Sequence, residues 1–433
     1  MPSRSNFIAT LKRHGKRLLC TLLEAQVRRL RASHEFKIVA VVGSVGKTST
    51  KLAIAHSLEP SRRVIYQTGN YNDRLTVPLV LFGHKLPSLF NLFAWVRILI
   101  ANERTIRLPH FYDVAVLELG TDGPGQIAEF AYLRPDLTVV TAITPEHMEY
   151  FKTLDAVAAE ELTVCEFSSQ VLVNGDDTPA QYLRGRDVLT YGQKEGMVYR
   201  AGHYVSSGLT GGDVELYMPG EPPFVAHAYI LGDQGVKILL AAAATAHLLD
   251  LSFDELQRGL AEVKPFAGRM QVLRGIKKST IIDDTYNASP SPVIAALDVL
   301  YKAEATQRIA ILGNMNELGD YSREAHREVG RYCDPHKLDL VVTIGPDADA
   351  FLAPAAKEQG CYVKTFMSPY EAGAFVKKQL KEGAVVLAEG SQNGVFAEEA
   401  IKLLLKHKAD ADKLVRQSDY WLGVKRRQFK TRN

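Results

Sequence analysis

The stretch Val41 to Lys51, "VVGSVGKTSTK", runs from a β-branched segment into Gly43-Ser44-Val45-Gly46-Lys47-Thr48-Ser49. Two glycines let the backbone turn tightly enough to aim several N–H groups at one anion, and a helix starting there adds its positive end. Lys47 is then placed to reach the terminal phosphates of a nucleotide, and the Thr48 hydroxyl to face a magnesium ion. Such loops usually carry a glycine where Val41 stands, so this is a shortened form, and a strand-to-helix turn without a ligand is the competing reading. Further along, Glu118 ends the run "VAVLELG" and His147 follows "LTVVTAI". In a parallel sheet these strand ends share the edge that carries the phosphate loop, where the two residues could converge on one metal. Taken singly, they read equally well as a solvated carboxylate and a loop histidine.

The elements that must position these residues are legible in the same way. From Lys37 onward, short β-branched runs alternate with helical stretches: "KIVAVV", "DVAVLELG", "LTVVTAI" and "QVLVNGD". This is the pattern of a parallel sheet with crossover helices. After Phe266 it starts again with "STIIDD", "RIAILG", "DLVVTIG" and "AVVLAEG", which predicts a second α/β domain joined near Val263 to Met270. Ser252 with Glu255, and Ser368 with Glu371 after Pro369, have capping-box spacing. The segment from His203 to Gly235 reads as an antiparallel excursion, and residues 89 to 101 as a packed helix too short to span a bilayer, with membrane or subunit contact as the second reading. Residues 5 to 36 read as one amphipathic basic helix, suited either to an anionic membrane surface or to docking on the protein's own body.

The chain of 433 residues is long enough for two or three domains, and 46% hydrophobic with 23% charged residues is the content of a soluble globular protein. A net charge of +3 gives no reason to expect a nucleic-acid partner. Four scattered cysteines suggest neither a disulfide framework nor a zinc site, and no apolar run or signal-peptide pattern is present, so the expectation is a cytoplasmic protein.

The phosphate loop, "NYNDRLTVP" at Asn70 to Pro78, "LELGTDGPGQI" at Leu117 to Ile127, "TPEHMEYF", "PFAGRM", "DDTYNASPSP" at Asp283 to Pro292 and "LGNMNELG" at Leu312 to Gly319 together resemble the Mur ligases. The resemblance implies a central P-loop ATPase domain over residues 37–266 with a mostly parallel sheet. A Rossmann-like C-terminal α/β domain would occupy 267–410, with a basic helix (1–36) before them and a basic tail (411–433) after. It implies an ATP- and Mg2+-dependent carboxylate–amine ligase that works through an acyl phosphate. D-alanyl-D-alanine or a related amino acid or dipeptide would be joined to a peptidoglycan-type peptide carrying a free carboxylate. Alternatives are a nucleotide-binding scaffold derived from such a ligase, or a ligase for a polyglutamate-type chain.

The implied roles fall on particular residues. Gly43 to Ser49, Arg269, Asp284 and Asn287 would hold the nucleotide; Thr48, Glu118, His147 and Glu161 would hold metal. Lys47, Glu118, His147, Glu161 and Arg269 would serve the chemistry, and Asn70, Asn72, Tyr286 and Ser391 the substrates. Glu161 stands fourteen positions after His147, where the family usually has a carbamylated lysine, and supplies a carboxylate without the modification. Glu160 is its neighbour, and either reads alternatively as a solvated helical residue. Glu389 replaces a lysine common before the Gly-Ser pair, and Ile238 and Gln234 stand where the family often has residues that touch the base. The family's separate sugar-binding domain has only residues 1–36 as its counterpart here. The acceptor is therefore expected to be a different molecule, to be met at the inner membrane face through the basic helix, or to be held by a partner subunit.

Overall fold

The computed structural model describes residues 4–429 except 69, 70, 147 and 393, with the side chains of the first helix described from residue 14. The predicted roles of Asn70 and His147 therefore lie outside the described residues. Two sheets are formed. The first contains β1 (Lys37–Val42), β2 (Val64–Tyr66), β3 (Val114–Glu118), β4 (Leu137–Val140), β5 (Gln170–Asn174), β6 (Leu189–Gly192), β7 (Tyr199–Ser206), β8 (Gly212–Tyr217) and β9 (Phe224–Ala228). Their order is β2-β3-β1-β4-β5-β6-β7-β8-β9; pairing is parallel as far as β7 and antiparallel from β7 to β9. Val and Ile dominate the central strands because helices cover both faces, and every residue of β3 and β4 is buried.

The second sheet contains β10 (Gln271–Arg274), β11 (Thr280–Asp284), β12 (Arg308–Gly313), β13 (Leu340–Ile344), β14 (Val363–Phe366) and β15 (Val385–Glu389), in the order β10-β11-β15-β12-β13-β14. Only the β10–β11 pairing is antiparallel. The helices Gly232–Leu248 and Pro290–Lys302 pack against each other and join the interiors of the two units into one apolar cluster. The alanines Ala241 to Ala244 are completely buried in it, their small side chains allowing close approach of neighbouring helices.

Several details differ from the sequence reading. The helix expected over 89–101 spans Leu92–Arg107 and buries only Trp95, Asn102 and Ile106, and the antiparallel excursion starts at Tyr199 and gives way to a helix at Gly232. The N-terminal helix spans Arg4–Ser33 instead of running to Phe36. Phe36 turns inward, and the Arg31 guanidinium donates to its carbonyl at 2.5 Å and to the Asp136 carboxylate at 3.1 Å, which fixes the turn into β1. Ser252 and Glu255 do form a capping box, whereas Ser368 makes no side-chain cap; Pro369, with its preset φ, opens that helix instead.

The helix Asp419–Gln428 is pinned by Lys425, which is fully buried with its Nζ 2.8 Å from Glu398 Oε1, 2.7 Å from Glu399 Oε1 and 2.8 Å from the Arg416 carbonyl. Arg416 in turn pairs with Glu398 at 2.7 Å and donates to the carbonyls of Thr285 and Tyr286. Removing one member of such a group strands the others without water or a partner. Lys425→Ala should lower the unfolding free energy by about 3 kcal/mol in denaturant titrations; a change below about 0.5 kcal/mol, typical of surface sites, would contradict this assignment.

Candidate active site

β1 lies between β3 and β4, so the chain leaving it passes between two neighbouring strand ends: Val41 is in register with Glu118 on one side and with Val139 on the other. The turn that follows has φ of 122° at Gly43 and 83° at Gly46, both in the left-handed region. A β-carbon at Gly43 would come within 2.5 Å of Thr141 Oγ1, so the position also excludes a side chain sterically. Thr141, just beyond β4, donates to the Val45 carbonyl at 2.6 Å, and Ser44 Oγ exchanges hydrogen bonds with the backbone of Thr144 at 2.9 and 3.0 Å. With the loop stitched to this segment, the helix Lys47–Leu58 starts at Gly46 with its N-terminus facing the open edge.

Lys47 folds back over the loop. Its Nζ donates to the carbonyl of Gly43, to that of Ser44 at 3.2 Å, and to both Glu146 oxygens at 3.3 Å. Glu161 approaches from beneath, buried, and accepts the Gly43 N–H at 2.8 Å. Burial opposes the Lys47 charge, but Glu146, Glu161 and Glu118 together outweigh it and hold the ammonium above its ordinary range. The two carboxylates share that single cation. Burial raises Glu161, and burial with the Glu161 charge lifts Glu146 to about 8 despite Lys47. Glu160 points elsewhere: it accepts the N–H groups of Gly125 at 2.6 Å and Ile127 at 2.7 Å and so shapes the "TDGPGQI" loop.

Glu118 is held from several sides. Its backbone is bracketed by the Gln67 amide at 2.7 and 2.9 Å, while its carboxylate receives the Thr48 hydroxyl at 3.0 Å, Lys51 at 3.4 Å and Asn72 at 3.4 Å. A hydroxyl and a carboxylate at this separation are hard oxygen donors of the kind magnesium takes. Glu146, Glu161 and Glu118 all act on Lys47 through their charge. No group of three His, Cys, Asp or Glu ligands occurs among the described residues.

The opposite wall comes from the second sheet. The Arg269 guanidinium lies 4.2 Å over the Tyr286 ring, and the Met270 N–H donates to Asp284 at 3.1 Å. Lys47, Thr48, Asn72 and Glu118 from the first unit line one cleft of about 620 Å³ together with Arg269, Asp284, Tyr286 and Asn287 from the second. A smaller hollow of about 80 Å³ opens beside Val45, Gly46 and Ser49, walled by Ile230, Gln234, Ile238, Met270 and Pro292. Ser391 does not line the cleft; it is buried, donating to the Ala288 carbonyl at 3.2 Å and accepting the Asn316 N–H at 2.9 Å. Glu389 is in register with Asp284 on the neighbouring strand, and burial followed by the Asp284 charge pushes its pKa well up.

Glu146 and Lys51 were not among the residues singled out from sequence; Lys16 and Arg17, legible there only as charge on the basic helix, bring that helix to the cleft's rim. Lys51 had a usable signal in its i, i+3 spacing from Thr48 on one helix face.

Glu146 generates a pH prediction for the nucleotide-free protein. Between its ordinary value of 4.5 and about 8, the folded chain holds a proton that the unfolded chain has released, so this residue makes stability fall as pH rises. Glu146→Gln removes that contribution, and its unfolding free energy should decline less across this window than that of the native protein. Identical pH dependence in denaturant titrations would contradict the assignment.

Comparison with known proteins accords with this geometry. The Mur ligase middle domain matches residues 101–246 and the Mur ligase glutamate ligase domain residues 268–392. The UDP-N-acetylmuramoyl-tripeptide--D-alanyl-D-alanine ligase of Haemophilus influenzae is 28% identical over 385 residues, spanning 82% of this chain and 74% of the relative. The Bacillus subtilis ligase of the same name is 27% identical over 388 residues, spanning 86% and 76%. The structure of the MurF ligase of Thermotoga maritima, solved in complex with ADP, shares the fold with a TM-score of 0.72 at 22% identity, covering 91% of this chain and 84% of that one. With both domain models matched in order along the two α/β units that share this cleft, the chain belongs to the Mur ligase family.

Proposed function

We propose that the protein is an ATP-dependent, ADP-forming carboxylate–amine ligase that joins D-alanyl-D-alanine, or a related amino acid or dipeptide, to a peptidoglycan-type peptide acceptor in the cytoplasm. The observation that carries this reading is the single cleft in which the Lys47 loop and Glu118 on one sheet edge face Arg269, Asp284 and Tyr286 on another. The acceptor carboxylate attacks the γ-phosphorus of ATP, ADP departs, and the acyl phosphate is then attacked by the amine; the amide forms as phosphate leaves and the amine nitrogen loses a proton. Bringing two anions together requires charge neutralisation and fixed geometry more than covalent help.

In this scheme the loop amides and Lys47 hold the β- and γ-phosphates, the ammonium exchanging Glu146 for phosphate oxygens. Arg269 meets the phosphates from the facing wall, Asp284 and Asn287 take the ribose side, and the apolar hollow at Ile230, Ile238 and Met270 receives the base. Thr48 and Glu118 would hold Mg2+, with His147 and Glu161 as further candidates; when bound, the ion neutralises phosphate charge. Asn72 and Tyr286 face the substrates. Glu389, where a lysine is common, favours an amine substrate whose recognition does not depend on a cation at that position. Four free cysteines agree with a reducing compartment.

Two measurements test this. Incubation with ATP, Mg2+, a muramoyl-tripeptide acceptor and hydroxylamine should give acceptor hydroxamate in step with ADP, and Lys47→Ala should lower the rate by at least about 100-fold. ATP binding with no hydroxamate from this or a polyglutamate acceptor would favour a nucleotide-binding scaffold instead. Glu161 contributes through its charge as well as through the Gly43 N–H, so Glu161→Gln, which retains an acceptor oxygen, should be nearly as slow as Glu161→Ala while ATP affinity changes little. A Gln variant with native turnover would reduce Glu161 to a support for the loop.

A further inference from the structure

A second exposed feature adjoins the cleft. On the helix Leu92–Arg107, Trp95, Asn102 and Ile106 turn inward. The outer face therefore carries Leu92 and Phe93, 74% and 73% exposed, with Val96 and Ile100 also exposed one and two turns after Leu92.

The N-terminal helix lies alongside it in the same direction. Cys20 and Leu23 cluster with Trp95, Gln26 donates to the Leu99 carbonyl and to Glu103 at 2.8 Å, and His34 meets the Ile106 carbonyl at 2.9 Å, so the contacts ascend together along both helices. Leu22 and Leu18, one and two turns before Gln26 on its face, are thereby set beside the turns of Val96 and Leu92; they are 42% and 62% exposed. Scattered exposed leucines need no explanation, but six large apolar side chains along two adjacent helices form a surface that water does not favour.

The exposed charge on these two helices is mostly cationic. Arg97 lies over the Phe93 ring at 5.8 Å, and Arg17, Arg28, Arg104 and Arg107 are exposed on them, while Lys16 pairs with Asp73 at 3.1 Å. Their acidic residues are already engaged: Glu24 is buried against Arg74, and Glu103 is paired with Arg29 and Gln26. Aliphatic and aromatic side chains ringed by arginine and lysine suit the boundary of an anionic bilayer, where apolar tips enter the acyl region and cations meet phosphate headgroups. A second copy of the chain would set this cationic surface against itself. No helix among the described residues is long and apolar enough to cross a membrane, so any contact through these helices is peripheral.

We propose that the face formed by Leu18 and Leu22 with Leu92, Phe93, Val96 and Ile100 rests on the surface of an anionic lipid bilayer. The docked orientation sets the rim of the cleft, with Lys16 and Arg17, near the plane of the headgroups. Of the two aids to acceptor capture considered from sequence, this surface favours the membrane over a partner subunit.

The test is flotation of the full chain with vesicles of phosphatidylglycerol and phosphatidylethanolamine, against vesicles of phosphatidylcholine alone. Binding to the anionic vesicles should exceed that to neutral ones at least fivefold and weaken as salt is raised. The double variant Phe93→Ser with Val96→Ser, and separately Arg97→Glu, should each lose most of it while keeping the native melting temperature and vesicle-free ATP turnover. Absence of binding, equal binding by the variants, or a concentration-dependent dimer that the double variant dissolves would overturn the proposal. Flotation does not depend on catalysis: floating without amide formation would count against the ligase alone, and amide formation without floating against the membrane face alone.

Discussion

The whole site depends on the Lys47 ammonium being held where phosphate must arrive. It sits over the Gly43 and Ser44 carbonyls with Glu146 beside it, while Glu161 grips the Gly43 N–H from below. One cation therefore serves the buried Glu161 and the half-buried Glu146, a balance that removal from water makes costly. Such a site gains by admitting the anion for which the loop is shaped, since the loop amides, the helix terminus and the lysine need no rearrangement beyond the exchange of Glu146 for phosphate. Thr141, Ser44 and Gly43 owe their contacts to the same requirement: the loop must be rigid before it can be charged.

A second constraint is that neither sheet completes the cleft. β1, β3 and β4 deliver the loop and Glu118; β11 and the turn after it deliver Asp284, Tyr286 and Asn287. The position of that second wall is set from far along the chain. Lys425 and Arg416 tie the last helix to Glu398 and Glu399, and Arg416 holds the carbonyls of Thr285 and Tyr286. The C-terminal helix is thus linked to the cleft through Lys425 and Arg416. The joined interior around the helices Gly232–Leu248 and Pro290–Lys302 keeps the two walls facing one another.

Much of this was legible in the sequence because its signals are local. Val and Ile runs of the right length mark strands buried on both faces, and Gly-Ser-Val-Gly-Lys-Thr describes a turn whose backbone requirements only those residue types meet. Glu118 could be placed because a residue at a strand's end is fixed by the strand. Glu146 could not, since its meaning comes from the chain folding back across the loop to a lysine far away in sequence. Ser391 shows the opposite limit: the family resemblance implies a substrate contact, and only tertiary packing reveals that Ala288 and Asn316 use its hydroxyl. The rim formed by Lys16 and Arg17 was equally hidden, because amphipathicity gives a helix a buried face but does not say which neighbour it will meet.

The claim that this edge exists to phosphorylate a carboxylate is tested most directly by positional isotope exchange. ATP carrying 18O in the β–γ bridge is incubated with Mg2+ and the muramoyl-tripeptide acceptor in the absence of amine. Reversible acyl-phosphate formation predicts that the label scrambles into the non-bridging β-oxygens, that scrambling requires acceptor, and that Lys47→Ala abolishes it. Amide synthesis on later addition of amine, from an enzyme that had shown no scrambling under these conditions while its bound ADP remained free to rotate, would contradict the account.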